Sequence, residues 1–428
     1  MRATRQKLIF TMYDMAWRLA LPLLRLNPRL KDGYAARTLR QSPEGLAAEL
    51  WIQAASAGEA YLAAAIIQTL SAPPPISVLL STNTRQGMEI LEKARSEAIR
   101  RSPALDIRLT FFPFDKPTIM EAAVKKIDPK VMVLLETELW PGLLSALRRN
   151  NCSVLLINGR ITHKSLSRYL ITPGLWRDLA PDAVLAVSQP DADRFGELFA
   201  PEIVAVMPNI KFDRVNLAHA PDEKLCPVGS LLPRDARFLI FGSIRQEEET
   251  DVGRMIQIIS RRFPDLIIGL FPRHMHRLHV WQQQLDKIHK KWVFRSTLSA
   301  EPVTPGNLVL WDTFGELSAA YAQATSVFVG GSLAPLGGQN FLEPLIHGLL
   351  PVIGPSWENF AWIGAEIISH GLVRETHNWE EAAAELIRQL KNPPARDEIR
   401  HAAAAYVKER QGGTRQACRL ISQMLDSN

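Results

Sequence analysis

Short apolar runs alternate with longer amphipathic stretches along most of this chain. In the first half, runs typical of buried strands lie at residues 50–54, 76–81, 107–112, 131–135, 154–157 and 183–187. After a break, similar runs lie at residues 238–241, 266–271, 308–311, 326–329 and 352–353. Because helical patterns separate consecutive runs, we predict two parallel sheets, each covered by helices on both faces.

The stretch around residues 218–234 separates the two series of strands. It contains Pro221, Pro227, Gly229 and Pro233 and has little periodicity, which indicates a domain boundary. We therefore predict an α/β protein with two Rossmann-like, doubly wound domains that face each other across a cleft. The predicted segments are an N-terminal helix at 1–32, domains at 33–218 and 219–410, and a C-terminal helix at 411–428 that packs back on the first domain.

Composition narrows the classes of function. The 428 residues are 22% charged and 46% hydrophobic, as in a folded globular protein, and the net charge is +6. This charge suits an anionic partner, but basic clusters interleaved with aromatic residues are absent, so we predict no nucleic-acid binding. Cys152, Cys226 and Cys418 form no C-x-x-C pair, and the spacing of His274, His276 and His279 does not suit a metal; we predict no metal site and no cofactor.

Residues 8–26 are apolar and aromatic, with basic residues on both sides. Asp14 and Arg18 interrupt the run, whereas a membrane-spanning helix needs roughly 20 mostly uncharged residues. We expect a helix that lies on an anionic membrane surface, with Phe10, Trp17 and the leucines in the acyl boundary and the basic flanks on the headgroups. The alternative is an ordinary helix packed on the N-terminal domain.

Charged residues follow several predicted strands of the first half. Glu59 ends the turn Ser56-Ala57-Gly58-Glu59 after the first strand, where a carboxylate is either a general base or a helix cap. Glu136 and Glu138 follow the fourth strand, and paired carboxylates there are costly to bury without a function. Lys211 lies at the end of this half and adds a cation.

A glycine-rich turn, residues 330–339, connects a buried strand to a helix predicted over 340–348. Glycines let the backbone approach a ligand, and Glu343 inside the helix can accept two hydroxyls of a ribose or sugar. The pattern therefore favours nucleotide-sugar chemistry over a simple tight turn. In the second half of the chain, Arg273 and Glu316 each follow another predicted strand.

Together these motifs resemble the Kdo transferases, GT-B enzymes that move 3-deoxy-D-manno-oct-2-ulosonic acid (Kdo) from CMP-Kdo to a lipid A precursor. The shared motifs, in order, are S-A-G-E, E-T-E-L-W-P, N-x-R, N-I-K-F-D, P-R-H, D-T-x-G-E-L and G-G-S-L…G-G-x-N-x-x-E-P. The resemblance runs from about residue 51 to about residue 360.

The resemblance implies roles for individual residues. Glu59 is the proton acceptor that activates the lipid A hydroxyl, and Glu136 and Lys211 support the transition state. The residues expected to bind CMP or substrate are Ser243, Pro272, Arg273, Phe314, Gly315, Glu316, Gly331, Ser332, Asn340, Phe341, Leu342 and Glu343. It further implies inversion without a metal, in lipopolysaccharide biosynthesis at the cytoplasmic face of the cell inner membrane, with peripheral or monotopic attachment.

Three departures from the family pattern leave alternatives open. Gln339 stands where the family has His, Phe314 where it has Met, and Ile244-Arg245 where it has Thr-His. Arg245 can replace that His as a phosphate contact. The alternatives are a divergent GT-B glycosyltransferase or epimerase with another nucleotide sugar, and a catalytically silent binding module of the same fold.

Overall fold

The structure, a computed structural model, describes residues 2–31, 33–40, 45–70, 76–102, 104–215, 228–233, 236–298 and 302–427. Most of the predicted linker at 218–234 lies outside these residues, as does Cys226. The chain divides into two units. Unit 1 comprises Met1–Arg214 and Arg410–Asn428, and unit 2 comprises Val215–Glu409.

Unit 1 is built on a parallel sheet of seven strands in the order β3-β2-β1-β4-β5-β6-β7. The strands are β1 (Leu50–Ala54), β2 (Ile76–Thr82), β3 (Leu105–Phe111), β4 (Val131–Leu135), β5 (Ser153–Gly159), β6 (Ala183–Ala186) and β7 (Val204–Val206). The structure confirms the six predicted strands. The pattern missed β7, a three-residue edge strand with no buried residue.

The helices of unit 1 before the last segment are α1 (Arg2–Leu24), α2 (Pro28–Lys31), α3 (Tyr34–Arg37), α4 (Ala57–Thr69), α5 (Arg85–Arg101), α6 (Pro117–Ile127), α7 (Pro141–Arg149), α8 (His163–Tyr169), α9 (Pro173–Asp178), α10 (Gln189–Leu198) and α11 (Ile210–Asp213). Every residue of the central strands β1 and β4 is buried, since helices cover both faces of the sheet. On one face Trp51 and Met132 pack with residues of α6, α7 and α10. On the other, Ile52 and Val133 pack with residues of α4 and α5.

One side of α1 packs on unit 1. Phe10 contacts the hydrophobic core, the rings of Trp17 and Phe114 lie 5.8 Å apart, and the hydroxyl of Tyr13 donates to Oδ2 of Asp115 at 2.9 Å. These half-buried rings cover apolar surface of their own domain, as in a packed helix, and the expectation that they also enter the acyl boundary stays a prediction. No helix in the described ranges is both long and apolar enough to cross a bilayer.

Unit 2 contains a second parallel sheet of seven strands, in the order β10-β11-β9-β8-β12-β13-β14. The strands are β8 (Phe238–Ile244), β9 (Ile267–Pro272), β10 (Trp292–Phe294), β11 (Leu308–Leu310), β12 (Ser326–Val329), β13 (Pro351–Ile353) and β14 (Arg374–Glu375). The five predicted strands are present. The pattern missed β10 and β14, which are very short and have no buried residue.

The helices of unit 2 are α12 (Glu249–Arg262), α13 (Leu278–Lys287), α14 (Leu317–Gln323), α15 (Leu342–Ile346), α16 (Glu366–Ser369), α17 (Trp379–Lys391) and α18 (Arg396–Glu409). Residues of α12, α13 and α17 form one core with alternate side chains of β8, β9, β11 and β12. The predicted helix at 340–348 is the shorter α15. Both units thus have the doubly wound α/β architecture predicted from the sequence.

The last helix, α19 (Gly413–Asp426), belongs to unit 1 and packs on the core formed with α4 and α5. Asp213 caps the N-terminus of α19. The carboxylate of Asp213 accepts hydrogen bonds from the backbone N–H groups of Gly412 and Thr414, each at 2.6 Å. The final acid of the N-I-K-F-D motif is therefore a cap for this helix.

Candidate active site

Strand order indicates where ligands should bind in each sheet. In unit 1 the chain runs from β1 outward to β2 and β3 and then places β4 on the other side of β1. In unit 2 the corresponding neighbours are β8 and β12. Ligands of doubly wound sheets bind beyond the carboxyl ends of such neighbouring strands. Glu59 and Glu136 follow this pair of strands in unit 1; in unit 2, Ser243 lies at the end of β8 and Gly331 follows β12.

Glu59 lies in the first turn of α4 and forms a capping box with the N-cap Ser56. The backbone N–H of Ser56 donates to Oε2 of Glu59 at 2.6 Å, and the backbone N–H of Glu59 donates to Oγ of Ser56 at 3.4 Å. The carboxyl is therefore held in a fixed direction.

The surroundings of Glu59 raise the pKa of its carboxyl. Glu59 is only 9% exposed, and burial raises the pKa of its carboxyl. The hydrogen bond from the Ser56 backbone lowers this pKa, the charge of Glu136 raises it, and Lys211 lowers it. The net rise makes the Glu59 carboxylate a stronger base than an exposed one.

Glu136 directly follows β4 and adopts the left-handed conformation, with φ +56°. The Nζ of Lys211 donates to Oε1 of Glu136 at 2.7 Å, and Nη1 of Arg160 lies 3.9 Å from the same oxygen. The side chains of Glu136 and Lys211 are each 21% exposed, so this ion pair is open to a ligand.

Two buried asparagines hold the backbone that carries Lys211. Oδ1 of Asn158 accepts from the N–H of Ile210 at 2.9 Å, and Oδ1 of Asn209 accepts from the N–H of Lys211 at 3.0 Å. Asn158 is fully buried and has φ +58°. The Asn of the N-x-R motif therefore positions Lys211 instead of facing solvent.

Glu59, Glu136 and Lys211 form an electrostatic cluster, and Glu138 is a further acid in it. The sequence analysis assigned no role to Glu138. Burial raises the pKa of Glu138 to about 7, the charges of Glu59 and Glu136 add to the rise, and the hydrogen bond from Trp140 opposes it. That bond runs from Nε1 of Trp140 to Oε2 of Glu138 at 2.7 Å. The signal was in the sequence, since the E-T-E motif contains two acids at one strand end.

In unit 2, the carboxylate of Glu248 accepts hydrogen bonds from backbone N–H groups of the glycine-rich loop. Its Oε1 accepts from the N–H groups of Ser332 and Leu333, each at 2.8 Å, and its Oε2 accepts from Gly331 at 2.5 Å and Arg245 at 3.3 Å. Glu248 is 1% exposed. This carboxylate therefore joins the segment after β8 to the segment after β12.

The predicted contacts Gly331 and Ser332 are engaged inside unit 2. Besides the bonds to Glu248, the hydroxyl of Ser332 donates to the carbonyl of Val329 at 2.7 Å and accepts from the N–H of Gly354 at 2.8 Å. Ser332 is 1% exposed. The carbonyl of Gly331 accepts from Gly338 at 2.7 Å. These two residues shape the loop, and their N–H groups are not open to a ligand.

Ser243, Pro272 and Arg273 lie together at the ends of β8 and β9. The pairing of the two strands shifts by a bulge between Phe241 and Ile244, and Ser243 within it has φ +57°. The N–H of Arg273 donates to the carbonyl of Ile244 at 2.8 Å. Pro272 is buried, whereas the Arg273 side chain is exposed.

The loop after β11 combines a buried anchor with an exposed tip. The carboxylate of Glu316 accepts two hydrogen bonds from Arg295, at 2.8 and 2.9 Å, and one from Nε1 of Trp311 at 2.8 Å. Phe314 is 81% exposed, and Gly315 has φ +86° with no atom within 4 Å of its would-be Cβ. Glu316 therefore holds the loop, while Phe314 and Gly315 present surface to a ligand.

Asn340 lies just before α15, and Glu343 lies in the first turn of that helix. Asn340 is exposed, and its Oδ1 accepts from the N–H of Leu342 at 3.2 Å. Phe341 and Leu342 are buried. Burial raises the pKa of Glu343, and a hydrogen bond from Ser318 opposes the rise.

Known proteins are similar to this chain along most of its length. Residues 25–214 match the family model described as 3-Deoxy-D-manno-octulosonic-acid transferase (kdotransferase). A 3-deoxy-D-manno-octulosonic acid transferase of Haemophilus influenzae is 26% identical over 413 residues, covering 94% of this chain and 93% of that protein. The transferase of the same name from Bordetella pertussis is 29% identical over 381 residues, covering 88% and 87%.

A bifunctional glycosyltransferase/methyltransferase of Fusobacterium nucleatum is 28% identical over 391 residues, 89% of this chain, and this chain spans only 59% of its length. Among solved structures, a glycosyltransferase from Rickettsia africae has a TM-score of 0.58 at 11% identity, and Anabaena HepE in complex with UDP has 0.54 at 12%. Each covers 89% of this chain and 100% of the other. At such identities these two structures establish the fold alone.

The predicted fold and family are thereby confirmed. Residues 25–214 match the Kdo transferase family model, relatives of that name are similar along most of the chain, and the chain is a glycosyltransferase with the GT-B fold.

Proposed function

We propose that this protein is an inverting glycosyltransferase that moves Kdo from CMP-Kdo to a hydroxyl group of a lipid A precursor in lipopolysaccharide biosynthesis. Relatives named 3-deoxy-D-manno-octulosonic acid transferase, similar along most of this chain, support the transferred sugar. The observation that carries the proposal is the cluster in unit 1. There a buried Glu59 with a raised pKa lies in the field of the Glu136–Lys211 ion pair.

In the proposed reaction, Glu59 removes the proton from the acceptor hydroxyl. The hydroxyl oxygen forms a bond to the anomeric carbon of Kdo as the bond from that carbon to the CMP phosphate oxygen breaks. The electron pair of the broken bond leaves with CMP, and the proton stays on Glu59 until solvent accepts it. Because the acceptor oxygen attacks the anomeric carbon on the face opposite the leaving CMP, the configuration inverts.

Lys211 and Glu136 have complementary parts in this step. Lys211 supplies a fixed positive charge that stabilises the negative charge of the transition state. Glu136 holds Nζ of Lys211 at 2.7 Å and so fixes its direction. In unit 2, the exposed residues Arg273, Phe314, Gly315 and Asn340 and the half-buried Glu343 would hold CMP. Cationic side chains would then balance the leaving phosphate without a metal.

We further propose that α1 attaches the protein to the cytoplasmic face of the cell inner membrane as a peripheral or monotopic element. Apolar side chains spaced three or four residues apart remain 58–77% exposed on α1, namely Leu8, Met12, Met15, Leu19 and Leu23. A stripe of this kind suits an interfacial helix. Co-sedimentation with anionic vesicles tests it, and we expect Leu19→Asp to reduce the bound fraction several-fold; unchanged binding would contradict this role of α1.

The central test is Glu59→Gln. Glutamine at this position keeps the capping box, so α4 should retain its start while the base is lost. We expect transfer from CMP-Kdo to fall about 10²- to 10⁴-fold, with CMP affinity unchanged. Retained turnover would reject Glu59 as the base.

The alternative donors are separated by thermal unfolding of the wild-type chain with single nucleotides. A ligand that binds only the folded state raises the melting temperature. We expect CMP to do so and UDP to have no effect. Stabilisation by UDP alone would favour a UDP-sugar transferase or an epimerase, and binding without turnover would favour a silent binding module.

A further inference from the structure

Four arginines of unit 2 follow the ends of β8, β9 and β10, and they differ in their partners. Arg277 forms two hydrogen bonds with Glu249, at 3.0 and 2.6 Å, and Arg295 forms two with Glu316. Arg245 and Arg273, in contrast, form no ion pair with any carboxylate in the described part of the chain. Two cations of this cluster are therefore not neutralised.

Arg245 and Arg273 follow neighbouring strands. Ile244, just before Arg245, is the register partner of Pro272, just before Arg273. His274 reports the resulting field: burial lowers the pKa of its imidazole, and the positive charge of Arg245, His276 and Arg273 lowers it further, while Glu247 opposes them. Like charges thus gather here, which costs free energy unless an anion joins them.

The side chain of Arg245 also contains a polar atom without a partner. Its Nε is buried and forms no hydrogen bond within the described residues. A buried donor left without an acceptor is destabilising, so such an atom is normally paired in the functional state.

The backbone of the glycine-rich loop does not supply the missing anion site. Its N–H groups at Gly331, Ser332 and Leu333 already bond to Glu248, as described above. These three N–H groups are therefore not available to an anionic ligand, whereas the guanidinium of Arg245 has a donor without a partner in the described part of the chain.

We propose that Arg245 binds an anionic group of the nucleotide sugar, through a charge-assisted hydrogen bond from its guanidinium. The inference rests on the proposed function and adds a binding residue to it. CMP-Kdo carries two such groups, the phosphate and the carboxylate next to the anomeric carbon. A guanidinium suits both, because its planar donors match carboxylate and phosphate oxygens.

The experiment compares Arg245→Gln and Arg245→Lys with the wild-type chain, using calorimetric titration with CMP and with CMP-Kdo. Arg261→Gln, an exposed position on α12, is the matched control for loss of one positive charge. We expect Arg245→Gln to weaken CMP-Kdo at least about tenfold, Arg245→Lys to weaken it less, and Arg261→Gln to leave it unchanged. Melting temperatures without ligand check that each variant folds.

The two ligands separate the two anionic groups. An equal loss of affinity for CMP and CMP-Kdo assigns Arg245 to the phosphate, and a loss for CMP-Kdo alone assigns it to the sugar carboxylate. Unchanged affinity for both ligands in Arg245→Gln overturns the inference while leaving the proposed donor intact. If the wild-type chain binds UDP-glucose instead, and Arg245→Gln weakens that binding, the donor is wrong and the role of Arg245 stands. Binding of none of these ligands overturns both.

Discussion

Each unit contains a glutamate in the first turn that follows the first strand of its sheet, and the two glutamates have different surroundings. Glu59 follows β1 and Glu248 follows β8. Each carboxylate accepts a hydrogen bond from the backbone N–H three residues earlier, Ser56 at 2.6 Å and Arg245 at 3.3 Å. Local sequence thus gives both residues the same cap geometry.

The remaining partners distinguish the two residues. Glu248 accepts three more N–H groups, from a loop more than eighty residues away in sequence, which uses both of its oxygens. Glu59 has only the Ser56 N–H among the described hydrogen bonds, and the acids Glu136 and Glu138 lie near it. A capped glutamate surrounded by backbone donors, such as Glu248, therefore holds a loop in place. A capped glutamate near other acids, such as Glu59, instead has a raised pKa and is a stronger base.

Substitutions of Glu248 and Glu59 should differ most in their effect on the free energy of unfolding. Glu248→Ala leaves three N–H groups of a buried loop without an acceptor, and we expect unit 2 to lose about 3–5 kcal/mol of unfolding free energy. Glu59→Ala removes one capping interaction and should cost about 1 kcal/mol. Urea unfolding measures both losses, and hydrogen exchange at Gly331–Leu333 reports the local one.

The hydrogen-exchange data also serve as the control. Exchange of these three amides should accelerate in Glu248→Ala and stay unchanged in Glu59→Ala. Equal losses of stability in the two variants, without faster exchange in the loop, would contradict a structural role for Glu248.

Sequence patterns predicted the sheets because strands buried on both faces, such as β1 and β4, are continuously apolar. They also placed Glu59 and Glu136 at strand ends and Lys211 at the end of the first half, and the structure brings these three residues into one electrostatic cluster. The partners of Glu248 were not predictable. Its bonds to Ser332 and Leu333 depend on β8 and β12 being neighbours, which local periodicity does not specify.

The next effect concerns the acids around Glu59 and depends on pH. The pKa of Glu138 is about 7 in the folded protein against an ordinary value of 4.5, so between these pH values the folded state binds more protons than the unfolded state. The stability that protonated Glu138 contributes at low pH is therefore lost as the pH rises from about 4.5 to 7. We expect Glu138→Gln to be more stable than wild type by about 2 kcal/mol at pH 8 and equal to it at pH 4.

Glu138→Gln keeps an oxygen for the hydrogen bond from Nε1 of Trp140, so the comparison isolates the charge. Asp115, whose pKa burial also raises to about 7, contributes the same pH dependence to both proteins and cancels. Urea unfolding at the two pH values gives the difference. A variant that is less stable than wild type at pH 8 would show that the Glu138 charge is compensated.

The smallest effect is expected from the cap itself. Ser56→Ala removes the hydroxyl that accepts the backbone N–H of Glu59 at 3.4 Å, and the backbone N–H of position 56 still donates to the carboxylate. We expect a loss of about 0.5–1 kcal/mol. Ser188→Ala is the matched control, since Ser188 caps α10 in the same way, at 3.2 Å, in another part of unit 1.

The two caps should differ in their effect on activity. The Ser56 side chain lowers the pKa of Glu59, so its loss should raise this pKa and move the acidic limb of the pH–rate profile to higher pH. Ser188→Ala should cost similar stability and leave the profile in place. A shift to lower pH in Ser56→Ala, or the same shift in both variants, would mean that the acidic limb does not report the ionisation of Glu59.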